Sequence, residues 1–277
     1  MESWLRESRF VRKLKTKRNI FICFAYEFCG TCLITYAYNL TYPATGKQIA
    51  NPFLRGLAYF MGWIMACSVS GAHFNPATSL AVYIFERKKS NTKILLGYII
   101  SQFLGAMAGI LMSYLMVRYW GAELYPNLKV SSDNDFLYMY YPSGTLKYGR
   151  LVAQELLQTF TFTLVFLVVK YRRTFCHTDD IVKGLVLAGT LYACYHLDLE
   201  AGESFNPAFA LAESSLMFAR QNILLHKEAT PDALWVYMII PFIGASLSAA
   251  MFIYMDSVEK RVHAVIDKEE FLENIKS

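Results

Sequence analysis

The stretch Ser70-Gly71-Ala72-His73-Phe74-Asn75-Pro76-Ala77 decides how this chain folds, because its end returns in Gly202-Glu203-Ser204-Phe205-Asn206-Pro207-Ala208. Each copy follows an apolar segment of helix length and opens a further apolar run. Proline suits the first position of a helix, where its missing N–H would have no partner. Each Asn-Pro pair therefore reads as a helix start. Two such starts inside a hydrophobic protein aim two positive dipole ends and two carboxamides at one point. That is the geometry of a pore centre.

The rest of the composition agrees with a multi-span membrane protein: 277 residues, 55% hydrophobic and only 18% charged, with a positive mean hydropathy of +0.28,. The net charge of +5 concentrates in particular loops and is no sign of a nucleic-acid partner. Six cysteines (Cys23, Cys29, Cys32, Cys67, Cys176, Cys194) lie mostly in apolar segments, which argues against a secreted disulfide framework,. Cys29 and Cys32 have metal-ligand spacing but fall inside the first span without a second ligand pair,. No metal and no cofactor is expected. No nucleophile–base–acid grouping or phosphate loop is visible, so an enzyme is not expected either. The first 19 residues are basic and lack the apolar core of a cleavable signal peptide,.

Six spans of roughly 20 residues run over Ile20–Leu40, Pro52–Val69, Ile94–Val117, Gly149–Val169, Ile181–His196 and Ala233–Met255. Two shorter apolar pieces, Asn75–Phe85 and Asn206–Ala219, cannot cross a bilayer and read as re-entrant half-helices,. The halves repeat: Glu27-x-x-x-Thr31 matches Glu155-x-x-x-Thr159, and Phe103-Leu104-Gly105-Ala106 matches Phe242-Ile243-Gly244-Ala245. With the two Asn-Pro-Ala copies the offsets are 128, 131 and 139, one register drifting through loops,. Three spans per half is an odd number, so the second half must be inverted, with the functional site at the midplane. Gly105-x-x-x-Gly109 and Gly244-x-x-x-Ser248 read as helix-packing surfaces,. Lysine and arginine crowd the N-terminal segment, the turn at Arg87–Lys93 and the connection at Lys170–Arg173, which places both termini on the cytoplasm-like face,. Asn39-Leu40-Thr41 is a glycosylation triplet set too close to the span to weigh much,.

Together these motifs resemble the aquaporin (major intrinsic protein) family, over about Asn19 to Met255. The resemblance implies a bundle of six transmembrane helices and two half-helices, as an inverted 3+3 repeat. It implies a pore centre at Asn75, Pro76, Ala77, Asn206, Pro207 and Ala208. There Asn75 and Asn206 would donate to a passing water or polyol oxygen, with carbonyls near Gly71–Phe74 and Gly202–Phe205 as acceptors. Helix capping alone is the plainer role for one asparagine, but not for two in matching frames. Glu27 and Glu155 would each cost about 2.5–3.5 kcal/mol in a membrane helix unless satisfied. A proton relay is one role for them; accepting backbone N–H groups of the re-entrant loops, as the resemblance implies, is the favoured one.

By the family pattern the narrowest filter would fall at Arg55, Cys194, Glu203 and Phe209, and here the chain departs from its relatives. Most members carry arginine at the last position and an aromatic ring at the first, whereas this chain has Phe209 and Arg55. Either Arg55 restores the missing charge at the outer mouth, paired with Glu203, or Arg55 snorkels, Glu203 is solvated and Phe209 plugs the mouth. The polyol-conducting branch usually has an aspartate after the filter arginine, where this chain has Ala210. Cys194 is the thiol expected to meet mercurials, unless it is buried and structural.

Residues 1–19 form a basic tail in which Trp4, Leu5, Phe10, Val11 and Leu14 interleave with cations, as in an interfacial helix,. Glu2 and Glu7 argue against a mitochondrial transit peptide,. The channel domain spans 20–255, with repeats at 20–117 and 149–255 joined by a tyrosine-rich loop at 118–148. Residues 256–277 form a charged tail in which Val258, Val262 and Ile266 suggest an amphipathic helix,. The expected function is a passive channel for water or a small neutral solute in a bilayer, either of the cell surface or of an organelle. The alternative is a non-conducting subunit or scaffold of a larger membrane complex. The resemblance implies a homotetramer, which a subunit bound among other proteins need not form.

Overall fold

The computed structural model describes residues 17–40, 52–88, 91–119, 149–197, 204–224 and 234–276. Among them are eight α-helices: α1 Lys17–Leu40, α2 Pro52–Ala66, α3 Pro76–Glu86, α4 Thr92–Tyr119, α5 Gly149–Tyr171, α6 Asp180–Leu197, α7 Pro207–Leu224 and α8 Leu234–Lys276. Four of them (α1, α4, α5, α8) are long and apolar enough to cross a membrane. Residues 1–16 of the basic tail, 120–148 of the tyrosine-rich loop, Glu203 and the carbonyls at Gly202 and Glu203 lie outside the described residues.

Large apolar side chains such as Phe21, Met61, Leu104, Leu111 and Leu157 face outward, while Glu27, Glu155, Asn75 and Gln102 are buried. That inversion suits a lipid solvent, in which polar groups must be satisfied inside the protein. The small-residue surfaces account for the two closest helix pairs. A Cβ on Gly105 would strike the carbonyl oxygen of Phe28, and one on Gly244 would stand 2.6 Å from that of Leu156. So α1 meets α4 and α5 meets α8 backbone to backbone, at positions related by the repeat. Thr163 and Ser248 add a 2.6 Å hydroxyl contact to the second pair.

The half-helix α3 starts where expected. Asn75 caps it with its side chain on Ala77 N, Pro76 takes the first turn, and Arg87 ends it in the left-handed conformation,. The last span does not stop near Met255. Helix α8 continues as one piece for 43 residues through Pro241 to Lys276, so the charged tail begins as an extension of the span. Nothing between Met255 and Lys276 is glycine or proline, and the Arg172–Glu259 ion pair at 3.1 Å fastens this extension to the end of α5.

Candidate functional site

The segments before both asparagines are bent against their intrinsic preference. Phe74 and Phe205 occupy the left-handed region at φ 51° and 35°, and Ala72 joins them at 53°. For residues with a Cβ such geometry costs about 1–3 kcal/mol each. Two buried carboxylates hold it in place. Glu27 Oε1 accepts from Ser70 Oγ at 2.6 Å and from the backbone N–H of His73 at 3.0 Å. Its Oε2 accepts from the N–H of Phe74 at 2.7 Å and from Gln102 Nε2 at 2.8 Å. In the second half Glu155 accepts from the N–H groups of Ser204 and Phe205 at 2.7 and 2.9 Å.

With the carbonyls turned inward, the two halves lock. Asn75 Nδ2 donates to the Phe205 carbonyl at 2.8 Å, and Asn206 Nδ2 donates to the Phe74 carbonyl at 2.9 Å. Each Oδ1 meanwhile accepts from its own half-helix, at Ala77 N and Ala208 N. Pro76, Ala77, Pro207 and Ala208 are buried around this crossing. A carboxamide has two N–H donors, so each crossed bond uses one and leaves the other. Beside the asparagines lies a cavity of about 40 Å³, walled by Tyr59, His73, Phe162, Phe205 and the threonines of α1.

At the outer mouth the snorkelling arrangement is not seen, and Glu203, the partner expected in the other, lies outside the described residues. Arg55 is 3% exposed and does not snorkel. Its guanidinium lies 3.5 Å from the centre of the Tyr38 ring and 4.5 Å from that of Tyr195. A desolvated stack of this kind is worth about 2 kcal/mol. Phe209 closes on the same group, its ring centre 4.0 Å from that of Tyr38 at an angle of 71°. Cys194 is buried with its thiol toward the Gln158 carbonyl of α5, and its neighbour Tyr195 lines the central cavity.

Tyr38 and Tyr195 are the residues that motif reading misses. The signal for Tyr38 is periodic: Glu27, Thr31, Thr35 and Tyr38 stand on one face of α1, as Glu155, Thr159, Thr163 and Phe166 do on α5,.

At the opposite end a vestibule of about 510 Å³ opens between α1, α2, α3, α4, α5 and α6. Lys170, Lys183, Asp180 and Glu86 line it, and so do the thiols of Cys23 and Cys67. His73 borders both this vestibule and the central cavity.

An all-helical membrane bundle with two opposed half-helices meeting at its centre is the architecture of a passive pore. Residues 10–254 match the family model described as Major intrinsic protein; the chain belongs to the major intrinsic protein family. It is an integral membrane protein, a passive channel for water or small solutes and not an enzyme. Among its relatives is the glycerol uptake facilitator protein-like 6 of Lactiplantibacillus plantarum, 29% identical over 80% of this chain and 93% of that one. Aquaporin PIP2-3 of Zea mays is 27% identical over 87% of this chain and 83% of its own. The X-ray structure of the aquaglyceroporin from Plasmodium falciparum shares the fold with a TM-score of 0.60, at 22% identity over 83% of this chain and 94% of that one.

Proposed function

We propose that the conducted solute is water, passing the second amide protons of Asn75 and Asn206 and an outer filter made by Arg55, Tyr38, Tyr195 and Phe209. The observation that carries this is the size of the centre. A cavity of about 40 Å³ has room for only one to a few waters. Ala210, standing where the polyol branch of the family places an aspartate, supports the same choice. The half-helix dipoles and carboxamides would orient each water oxygen and interrupt a proton wire. Arg55, held between two rings, would supply the positive charge that the second half-helix lacks. Both termini face the cytoplasm-like side in this reading, because Arg87, Lys88, Arg172 and Arg173 cluster at the same end. A homotetramer is the assembly we infer from the family.

The test is osmotic shrinkage of liposomes carrying the purified chain, followed by stopped-flow light scattering beside empty vesicles. Shrinkage well above the control under an impermeant osmolyte, and under glycerol no re-swelling faster than in empty vesicles, is the expected result. Glycerol entry would move the channel to the polyol class. The tight Tyr38–Phe209 contact favours a second reading, a pore closed for good that serves as a subunit or scaffold of a membrane complex. Under water conduction Phe209→Ala raises the flux of a protein that already conducts. Folded protein that passes no water, with or without that substitution, would leave only the scaffold.

A further inference from the structure

We propose that Lys170 is a second charge barrier, set at the inner mouth as Arg55 is set at the outer one. The inference rests on the chain being a channel but concerns a residue the filter pattern does not contain. Lys170 Nζ donates to His73 Nε2 at 2.8 Å. His73 is the side chain shared by the vestibule and the central cavity, so the ammonium lies on the vestibule side of the residue between them. That hydrogen bond leaves the ring proton on Nδ1, which faces Ser79 Oγ at 3.2 Å,. Ser79 in turn accepts from Gln102, the residue that also donates to Glu27. The cation is thus tied through neutral groups to the carboxylate that fixes the first loop.

Two further observations place a charge there by construction. Gly71 sits in the left-handed region at φ 88°, and a Cβ on it would stand 2.5 Å from Lys170 Nζ. The amine thus lies close against the backbone of the loop at this glycine. The inverted repeat also supplies a matching ring at each end. Tyr38, eleven residues after Glu27, carries Arg55, and Phe166, eleven after Glu155, lies 5.4 Å from Lys170 Nζ. The other charged groups of the vestibule have hydrogen-bond partners of their own, although the Glu86 carboxylate also attracts Lys170. Lys183 pairs with Asp180 at 3.2 Å, and Glu86 accepts from Tyr171 and Asn91. Lys170 is the cation whose contact is the neutral imidazole. It repels cations that have entered the vestibule and admits neutral solutes, so the pore screens charge twice.

Barriers in series predict a specific pattern. Wild type, Lys170→Gln, Arg55→Gln and the double variant are reconstituted, and water shrinkage and potassium efflux are measured in the same vesicles. Glutamine keeps a donor toward His73 without the charge, so loss of folding is not the expected effect, and Lys170→Arg should behave as wild type. The double variant should leak potassium at least about tenfold faster than either single one. A local readout needs no conduction. Labelling of Cys67 in the vestibule by an anionic and a cationic methanethiosulfonate, read by peptide mass spectrometry at low salt, should lose about threefold of its anion preference in Lys170→Gln. An unchanged labelling ratio, or a double variant no leakier than Arg55→Gln in vesicles that pass water, would overturn the proposal. Vesicles that pass no water while the Cys67 ratio shifts would overturn the channel and leave the charge at Lys170 standing.

Discussion

At the scale of single residues, the most consequential groups are the two glutamates that never touch the pore. Glu27 gathers four donors, three of them from the re-entrant segment itself or its Ser70 anchor, and so holds Ala72 and Phe74 in backbone conformations they would otherwise leave. Glu27→Gln keeps the volume but turns one acceptor into a donor facing donors. Loss of charge-assisted bonds of this kind costs about 2–4 kcal/mol. Thermal unfolding in detergent should show a clear fall in midpoint for Glu27→Gln. An unchanged midpoint would mean that the loop is held by something else. The residues of the proposed filter were legible only in part. Arg55 and Phe209 stand out as departures from a pattern, but the Tyr38 stack depends on a rotamer and on how α1 crosses α2. Cys194 and Tyr195 differ by one helical step of about 100°, and only the packed orientation of α6 decides which of them meets the cavity.

At the scale of elements, the repeat was legible because it is written in residues that cannot be exchanged cheaply: the glutamates, the Asn-Pro starts, and the glycines where backbones touch. Gly244 faces the Leu156 carbonyl at a separation that leaves no room for a side chain. Gly244→Val should force α8 away from α5 and cost about 1–3 kcal/mol as an overpacked contact. The same change at Gly189, where a Cβ would meet nothing within 4 Å, should be near neutral. Comparing the two midpoints checks the packing argument against general intolerance of valine. The end of α8 was not legible, because amphipathic spacing after Met255 looks the same in a separate helix and in a continued one. At about 1.5 Å per residue, 43 residues reach roughly 65 Å, about twice the hydrocarbon thickness,.

At the scale of the whole molecule, the two halves are complementary rather than merely similar. Each half supplies its own carboxylate support, yet each asparagine donates across the centre to the other half. The half-helix α3 of the first repeat also packs on α8 of the second. Separate expression of 1–119 and 149–277 should therefore yield two fragments that pass no water alone and regain flux when coexpressed. Flux from either fragment by itself would contradict the shared centre. The crossed bonds also set an order in time. A ribosome delivers Asn75 to the bilayer well before Phe205 exists to accept its hydrogen bond, and α8, which covers α3, follows every other described helix in the chain. The newborn first half must wait in the membrane with its half-helix uncovered. The pore comes into being only after α8 has been made.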